Sequence, residues 1–459
     1  MRTLALLALL CCLCGARGAS AWELWRRGET VLELGGYARQ IGLFTHGTDS
    51  EDFVDTVVAN PLQCGLAATL ANCPAFEEVG DRQVFESLTR LRAELSGRLN
   101  RHWSALVVYD QEVLAGDLDT LESGISEGLS TESFLGAEGV IAGSEQAGVI
   151  YRHRLYRGFL RFESDHFDVR VGRQRIAWGV GRLWKPLDRF QFVPPLAIEA
   201  DQIPGIDAVD ARWLISGFTF LEAALAPTSD FEDSAYAGRL HGVLRDIDYS
   251  VVGGVFEEAW TLGFDLAGNI LEAAARLEFA YSHPKRSVWP IGDPKPSRLD
   301  PYFQVVGSID HLFDVGTGVY VLLEHLYNGN ALGFGYGEAG PLLPFFESTL
   351  APPAGTPPGV SGPFWTTAST AIFGGSRVVT RSANLTGLSF AYDITPEVRG
   401  ELLTIYDWTG TSVAFFPRIL YTPLDWLEVS VAGQIFAGRR LSEFGSAENL
   451  AFFLLEAFF

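Results

Sequence analysis

The sequence predicts an all-β fold, a transmembrane antiparallel β-barrel of about 18 strands, with 16 as the lower alternative, joined alternately by short periplasmic turns and long extracellular loops. Three observations predict it. Segments of about ten residues alternate in polarity along the chain. No apolar helix long enough to cross a bilayer follows the N-terminal segment. The chain closes on AFFLLEAFF, an extended stretch ending at Phe459.

The N-terminal element is an export signal. Arg2 and Thr3 precede the apolar run LALLALLCCLC, and Ala19, Ser20 and Ala21 form a small-residue site cut before Trp22. The residues before Cys11, Cys12 and Cys14 are Leu10, Cys11 and Leu13, not the small residue a lipoprotein signal places there. The organisation is therefore a signal peptide over 1–21 and a barrel over 22–459. The signal carries Arg2 and Arg17 and no acid, so the formal charge of −22 becomes −24 in the mature chain. Cys64 and Cys73 remain, close together in a polar stretch, and predict a disulfide-closed loop in an oxidising compartment.

The longest uncharged stretch, Ser348 to Ser376, contains Pro352, Pro353, Pro357, Pro358 and Pro363 and cannot form a bilayer helix. With export and no spanning helix, a closed barrel is what satisfies every backbone group inside a membrane. From Leu88 to Arg101, the face carrying Arg90, Arg92, Glu94, Ser96, Arg98 and Asn100 opposes one carrying Leu91, Ala93, Leu95 and Leu99. The pattern recurs over 271–281 and 426–436. Taken in order, strands are predicted near 30–43, 88–100, 102–113, 154–165, 166–178, 207–216, 217–226, 235–244, 247–258, 260–269, 271–282, 301–312, 316–328, 381–393, 396–408, 411–422, 425–437 and 449–459. Their connections alternate in length. Short links such as Asn100–His102, Ser164–Phe167 and Arg245–Asp248 fall on one side, and long links near 44–87, 114–153, 179–206, 283–300 and 329–380 on the other. Trp103, Phe167, Tyr249 and Trp426 begin strands, while Tyr281, Tyr327, Tyr406 and Trp408 end them, as interfacial girdles would require.

In the last strand Ala451, Phe453, Leu455, Ala457 and Phe459 share the lipid face and Glu456 points to the lumen. The terminal Phe459 resembles the signal by which outer-membrane barrels are recognised for assembly. Its implied partners are the barrel-assembly machinery and outer-membrane lipid, and its implied location is the outer membrane. The first long loop carries Asp49, Glu51, Asp52, Asp55, Glu77, Glu78, Asp81 and Glu86 against Arg82 alone. The second carries seven acids from Asp117 to Glu145 and no base, so that side of the mouth is negative. The fifth, 329–380, is apolar and rich in glycine and proline, and is expected to fold into the lumen or over the mouth.

In the third long loop, GRQRIAWGVGRLWKPLDRF followed by IEADQIPGIDAV resembles a signature of porin-like outer-membrane proteins, including families without an assigned function. The resemblance is carried by Gly172, Arg173, Gln174, Trp178, Gly179, Pro204 and Gly205, over about 40 residues. It implies membership of a broad porin-like superfamily and no catalytic residue set.

Alternation alone would leave Arg173 and Arg175 facing lipid, so a bulge at Gly172 is expected to turn them inward. Arg90, Arg92, Arg98, Arg157, Arg161, Arg170 and Arg175 then form one arc of the wall and are the pore-lining candidates, suited to anions or carboxylated solutes. Glu94, Glu163, Asp110 and Glu112 lie close enough to neutralise them instead. The eight histidines show no metal-ligand spacing and no nucleophile elbow appears, so no cofactor, metal site or enzymatic activity is expected. The negative charge opposes nucleic-acid binding. The expectation is a channel for passive diffusion of small hydrophilic solutes, with anions favoured. The alternative is a surface-binding barrel that holds a polysaccharide or envelope component, its lumen plugged by loops.

Overall fold

The computed structural model describes residues 21–48, 81–116, 138–144, 149–191, 195–199, 202–203, 205–228, 234–256, 259–284, 301–329, 331, 380, 382–439, 442–445, 447 and 449–459. Cys64, Cys73, Pro204, nearly all of the expected signal peptide, most of the two acidic loops and nearly all of loop 329–380 lie outside them.

Period-two patterning produces one antiparallel sheet closed on itself. In chain order its strands are β1 (Trp22–Arg27), β2 (Thr30–Thr48), β3 (Asp81–Arg98), β4 (Trp103–Gly116), β5 (Glu138–Ser144), β6 (Val149–Glu163), β7 (Phe167–Gln174), β8 (Ile206–Ser216), β9 (Thr219–Ala226) and β10 (Ala235–Leu244). The second half comprises β11 (Ile247–Phe256), β12 (Ala259–Ile270), β13 (Ala273–Pro284), β14 (Tyr302–Phe313), β15 (Val319–Asn328), β16 (Asn384–Thr395), β17 (Val398–Asp407), β18 (Ser412–Leu424), β19 (Leu427–Ala437) and β20 (Leu450–Phe458). Eighteen of these form the barrel wall, and every strand expected from the sequence is among them. The other two are accessory. β1 folds back on the lower part of β2, and β5 pairs with the upper part of β6. Neither was expected, because each is a short ribbon on an edge and not a full crossing of the wall.

Closure is made by β20 against β2, from Tyr37 opposite Phe458 to Thr45 opposite Leu450. Gly36 and Phe459 exchange both backbone hydrogen bonds, at 3.0 and 2.9 Å. The ladder therefore has no open edge across the wall, which is the condition for burying a sheet in hydrocarbon. The turns at one end are short. At Arg245–Asp246 both residues have positive φ, 51° and 66°, the two-residue geometry that matches strand twist.

The outer face is apolar. Leu160, Val171, Leu262, Ile419, Val431 and Phe453 are exposed, in an arrangement only lipid would favour. Aromatic pairs sit at both rims. Trp103 meets Phe162 at 5.0 Å near the short turns, while Trp260 and Tyr281 at 5.7 Å and Phe303 and Tyr327 at 5.1 Å lie near the far rim. The inner face buries charge: Arg90, Asp110, Glu112, Glu278, Glu324 and Glu456 are all nearly inaccessible. Such burial is tolerable only with partners.

Candidate functional site: an arginine wall and an inward loop

The arginine arc is built by the alternation of β2, β3, β4, β6 and β7. Register sets Arg92 opposite Asp110 and Arg90 opposite Glu112, so each guanidinium meets a carboxylate on the next strand. Arg92 binds Asp110 with both arms at 2.6 Å, and Arg90 binds Glu112 at 2.6 Å. Arg152 also binds Glu112, while Arg154 reaches Asp110 at 3.3 Å and Glu112 at 3.2 Å. Arg39 reaches Glu456 at 2.9 Å.

A bulge lies on β6. Val108 pairs with Arg157 and Tyr109 with Leu155, leaving Tyr156 as the extra residue. It turns Tyr156 and Arg157 to the lumen together, and Arg92 stacks on the Tyr156 ring 3.4 Å from its centroid. The bulge expected at Gly172 is absent: pairing with β6 and β8 runs through that residue without a shift. Gly172 instead has φ of +125°, and a Cβ there would lie 2.3 Å from the Gly158 carbonyl oxygen. Arg173 stays on the side of the exposed Phe167 and Val171. It is neutralised by Asp207 at 2.9 and 3.2 Å, bound to the Leu155 carbonyl, and buried. Arg175 lies just past the end of β7 and pairs with Asp188 of the following loop. It is thus not part of the wall.

The described residues between Arg175 and Gly205 form an inward loop that runs around the lumen like a collar. Trp178 is buried against Phe190 at 5.1 Å, with the Arg239 guanidinium 5.4 Å from its ring. Val180, Gly181 and Leu187 donate their backbone N–H groups to Glu278 on β13, and Arg182, Leu183 and Trp184 donate theirs to Glu324 on β15. Arg189 binds Ser282 at 2.7 Å and Gln304 at 3.2 Å. The Leu196 carbonyl accepts from Gln434 on β19 at 2.6 Å. Glu199 then closes the circuit onto the arginine wall, accepting from Arg39 at 2.7 Å and from Arg90 at 2.6 and 2.9 Å. Gln202 accepts from Arg92 at 2.6 Å and from Tyr37 at 3.0 Å. Burial pushes the Glu199 carboxyl up, but Arg90 and Arg39 outweigh it and hold the group below its ordinary value. At Asp188 burial wins over Arg175 and the carboxyl is raised.

The described residues that carried the sequence resemblance lie in this collar or at its roots. Gln174 donates to the carbonyls of Arg170 and Ala208. Gly179 has φ of +85°, and a Cβ on it would sit 2.6 Å from a Glu278 oxygen. One on Gly205 would sit 2.6 Å from Arg173 Cγ.

The remaining arc faces space. A cavity of about 460 Å³ opens on the short-turn side, lined by Arg98, Arg161, Arg170, Ser96, Ser104 and Glu33 among others. Arg161 is paired with Asp168 at 2.7 and 2.9 Å, and Arg170 touches it at 3.4 Å. Arg98 makes no ion pair among the described residues. Arg157 and Arg170 each leave Nε without a hydrogen-bond partner. Hence the seven candidates divide. Arg90 and Arg92 are locked in buried pairs, Arg175 belongs to the collar, Arg157 donates to the collar's Ile203 carbonyl at 3.2 Å, and Arg98, Arg161 and Arg170 line the cavity. Arg39, Arg152, Arg154 and Glu199 were not singled out from the sequence. Arg152 precedes the expected strand, and Arg39 stands alone in an apolar alternation.

No family model matches the sequence, and no curated protein does. Among solved structures it is similar to OccAB1 of Acinetobacter baumannii, with TM-score 0.52, 11% identity, and 96% of this chain and 99% of that one covered. Pseudomonas aeruginosa OccK5 (OpdH) has TM-score 0.52, 8% identity and coverage of 94% and 98%. Pseudomonas aeruginosa OccK9 (OpdG) has TM-score 0.50, 9% identity and coverage of 93% and 98%. The likeness is one of fold: this chain has a closed 18-stranded antiparallel β-barrel.

Proposed function

We propose that the protein is an outer-membrane channel for passive diffusion of small hydrophilic solutes, with a preference for anions. The size class supports it, since barrels of about 16 to 18 strands leave an aqueous lumen. The observation that carries the anionic preference is the row Arg98, Arg161 and Arg170, which lines the open cavity and in which Arg98 has no ion pair among the described residues, whereas the charges of Arg90 and Arg92 are spent on Asp110, Glu112 and Glu199. An exposed guanidinium without a carboxylate partner, as at Arg98, offers fixed donors to a carboxylate or phosphate oxygen. The same reading has the mature chain begin at Trp22, pair Cys64 with Cys73 in an outer loop, and reach the membrane through the barrel-assembly machinery.

Planar-bilayer recording in a salt gradient tests it. The wild type should conduct with a reversal potential favouring anions, and Arg98→Ala, Arg161→Ala and Arg170→Ala combined should move that potential toward cations. The shift should shrink near 1 M salt, where screening reaches about 3 Å. Conductance with unchanged selectivity removes the anionic preference. A silent wild type removes the channel and favours the surface-binding barrel.

A further inference from the structure

The collar is fastened to its two walls in different ways. On the arginine side Glu199 and Gln202 are held through their side chains by Arg39, Arg90 and Arg92. On the opposite side, besides Arg189 on Ser282 and Gln304, the fastening is made by six main-chain N–H groups and two wall carboxylates. Glu278 accepts from Val180 at 2.8 Å and Gly181 at 3.1 Å through one oxygen, and from Leu187 at 2.6 Å through the other. Glu324 accepts from Arg182 at 2.7 Å through one oxygen, and from Leu183 and Trp184 at 2.8 Å each through the other. Both carboxylates are fully buried.

The surroundings are shaped for the same seat. A Cβ at Gly263 of the wall would lie 2.5 Å from Leu187 Cδ2, and one at Gly387 would lie 2.1 Å from Leu183 Cδ1. Both wall glycines are therefore sockets for collar leucines. Gly179, at φ of +85°, lets the chain pass against Glu278, and a Cβ at Gly181 would lie 1.8 Å from the Trp184 carbonyl oxygen.

We propose that Glu278 and Glu324 are the positioning residues that set the channel's aperture, by holding segment 180–187 against the β13–β16 wall through its main chain. The inference rests on the channel reading above. A carboxylate presents acceptors on both oxygens. A glutamine presents one, and turns an NH₂ toward N–H donors that it cannot satisfy. The seat therefore requires a carboxyl group with acceptors on both oxygens at these two positions, and no side chain of 180–187 can replace it.

The test uses the full chain in lipid nanodiscs and in planar bilayers, with Glu278→Gln, Glu324→Gln and the double variant. The control is Glu428→Gln, which removes a lumenal carboxylate whose partner is Arg418 at 3.5 Å and which does not touch the collar. In the double variant the amides of 180–187 should exchange at least about tenfold faster, the factor that one lost hydrogen bond to a charged group permits. The single conductance level should split into several. Glu428→Gln should change neither. A conducting double variant with unchanged protection and one conductance level overturns the proposal. A silent wild type overturns the channel reading and the aperture role together, while exchange still reports whether the carboxylates hold the segment. If the glutamine variants do not give the folded, heat-modifiable form, Glu278→Asp is measured in their place. It keeps the charge and withdraws it by one methylene, so unchanged exchange and conductance in that variant also overturn the proposal.

Discussion

Removing Arg90 should harm this barrel less than neutralising Glu112, although Arg90 makes more contacts with the collar. Five guanidiniums, of Arg39, Arg90, Arg92, Arg152 and Arg154, interlock with four carboxylates, of Asp110, Glu112, Glu199 and Glu456. Arg90→Met loses hydrogen bonds of 2.6, 2.6 and 2.9 Å, but Glu112 keeps Arg152 and Arg154, Glu199 keeps Arg39, and the cluster becomes balanced. A cost of about 1–3 kcal/mol is expected, the scale of hydrogen bonds lost to charged groups that stay paired. Glu112→Gln instead strips a carboxylate from three guanidiniums and leaves five cations facing three anions. That is an uncompensated buried charge, costing about 3–5 kcal/mol. The difference, about 2 kcal/mol, is roughly a thirtyfold gap in the unfolding equilibrium. Urea unfolding from lipid vesicles, followed by tryptophan fluorescence and by the heat-modifiable band, measures both variants. Equal costs, or the reverse order, would show that contact number and not charge balance governs the arc.

Two further outcomes are expected. Gly172→Ala should destabilise by about 1–3 kcal/mol, because the new methyl meets the Gly158 carbonyl at 2.3 Å on a backbone of positive φ. Gly97→Ala, whose nearest atom is 3.6 Å away, should be close to neutral in the same unfolding assay. The Glu199 fastening should also tolerate mild acid. Its carboxyl is held below the ordinary 4.5, so its stabilisation is complete above that value and is lost only as pH falls through the lower folded one. Amide protection over 196–203 should survive at pH 4.5 and fail on further acidification. Failure already near pH 6 would contradict the pairing with Arg39 and Arg90.

The wall was legible in the sequence because every strand repeats one physical signal, lipid on one side and charge or water on the other. Even the weakest segments, near 207–226 and 260–269, are strands β8, β9 and β12. The collar was not legible. Its seat on Glu278 and Glu324 uses backbone N–H groups, which leave no periodicity, and Glu278 reads simply as one more inward acid on an alternating strand. Loop 329–380 was the segment expected to turn inward, on its greasiness. It lies almost wholly outside the described residues, and among those described it is the glycine-punctuated third loop that lines the lumen. The arginines were found but not their state. A guanidinium facing a pore and one buried against a carboxylate occupy the same parity, and only the register that sets Arg92 against Asp110 separates them.

The short ribbon β1 bears on how the cylinder finds its final alignment. Before β20 arrives, β2 offers a bare edge on which an incoming strand could slide by two residues and still keep its greasy side outward. β1 already occupies that edge over Thr30–Leu34, and Gly36 is matched to Phe459. What stays vacant runs from Tyr37 to Thr45, nine residues for the nine of β20. The N-terminal ribbon thus acts as a ruler, and the last strand to dock has one berth.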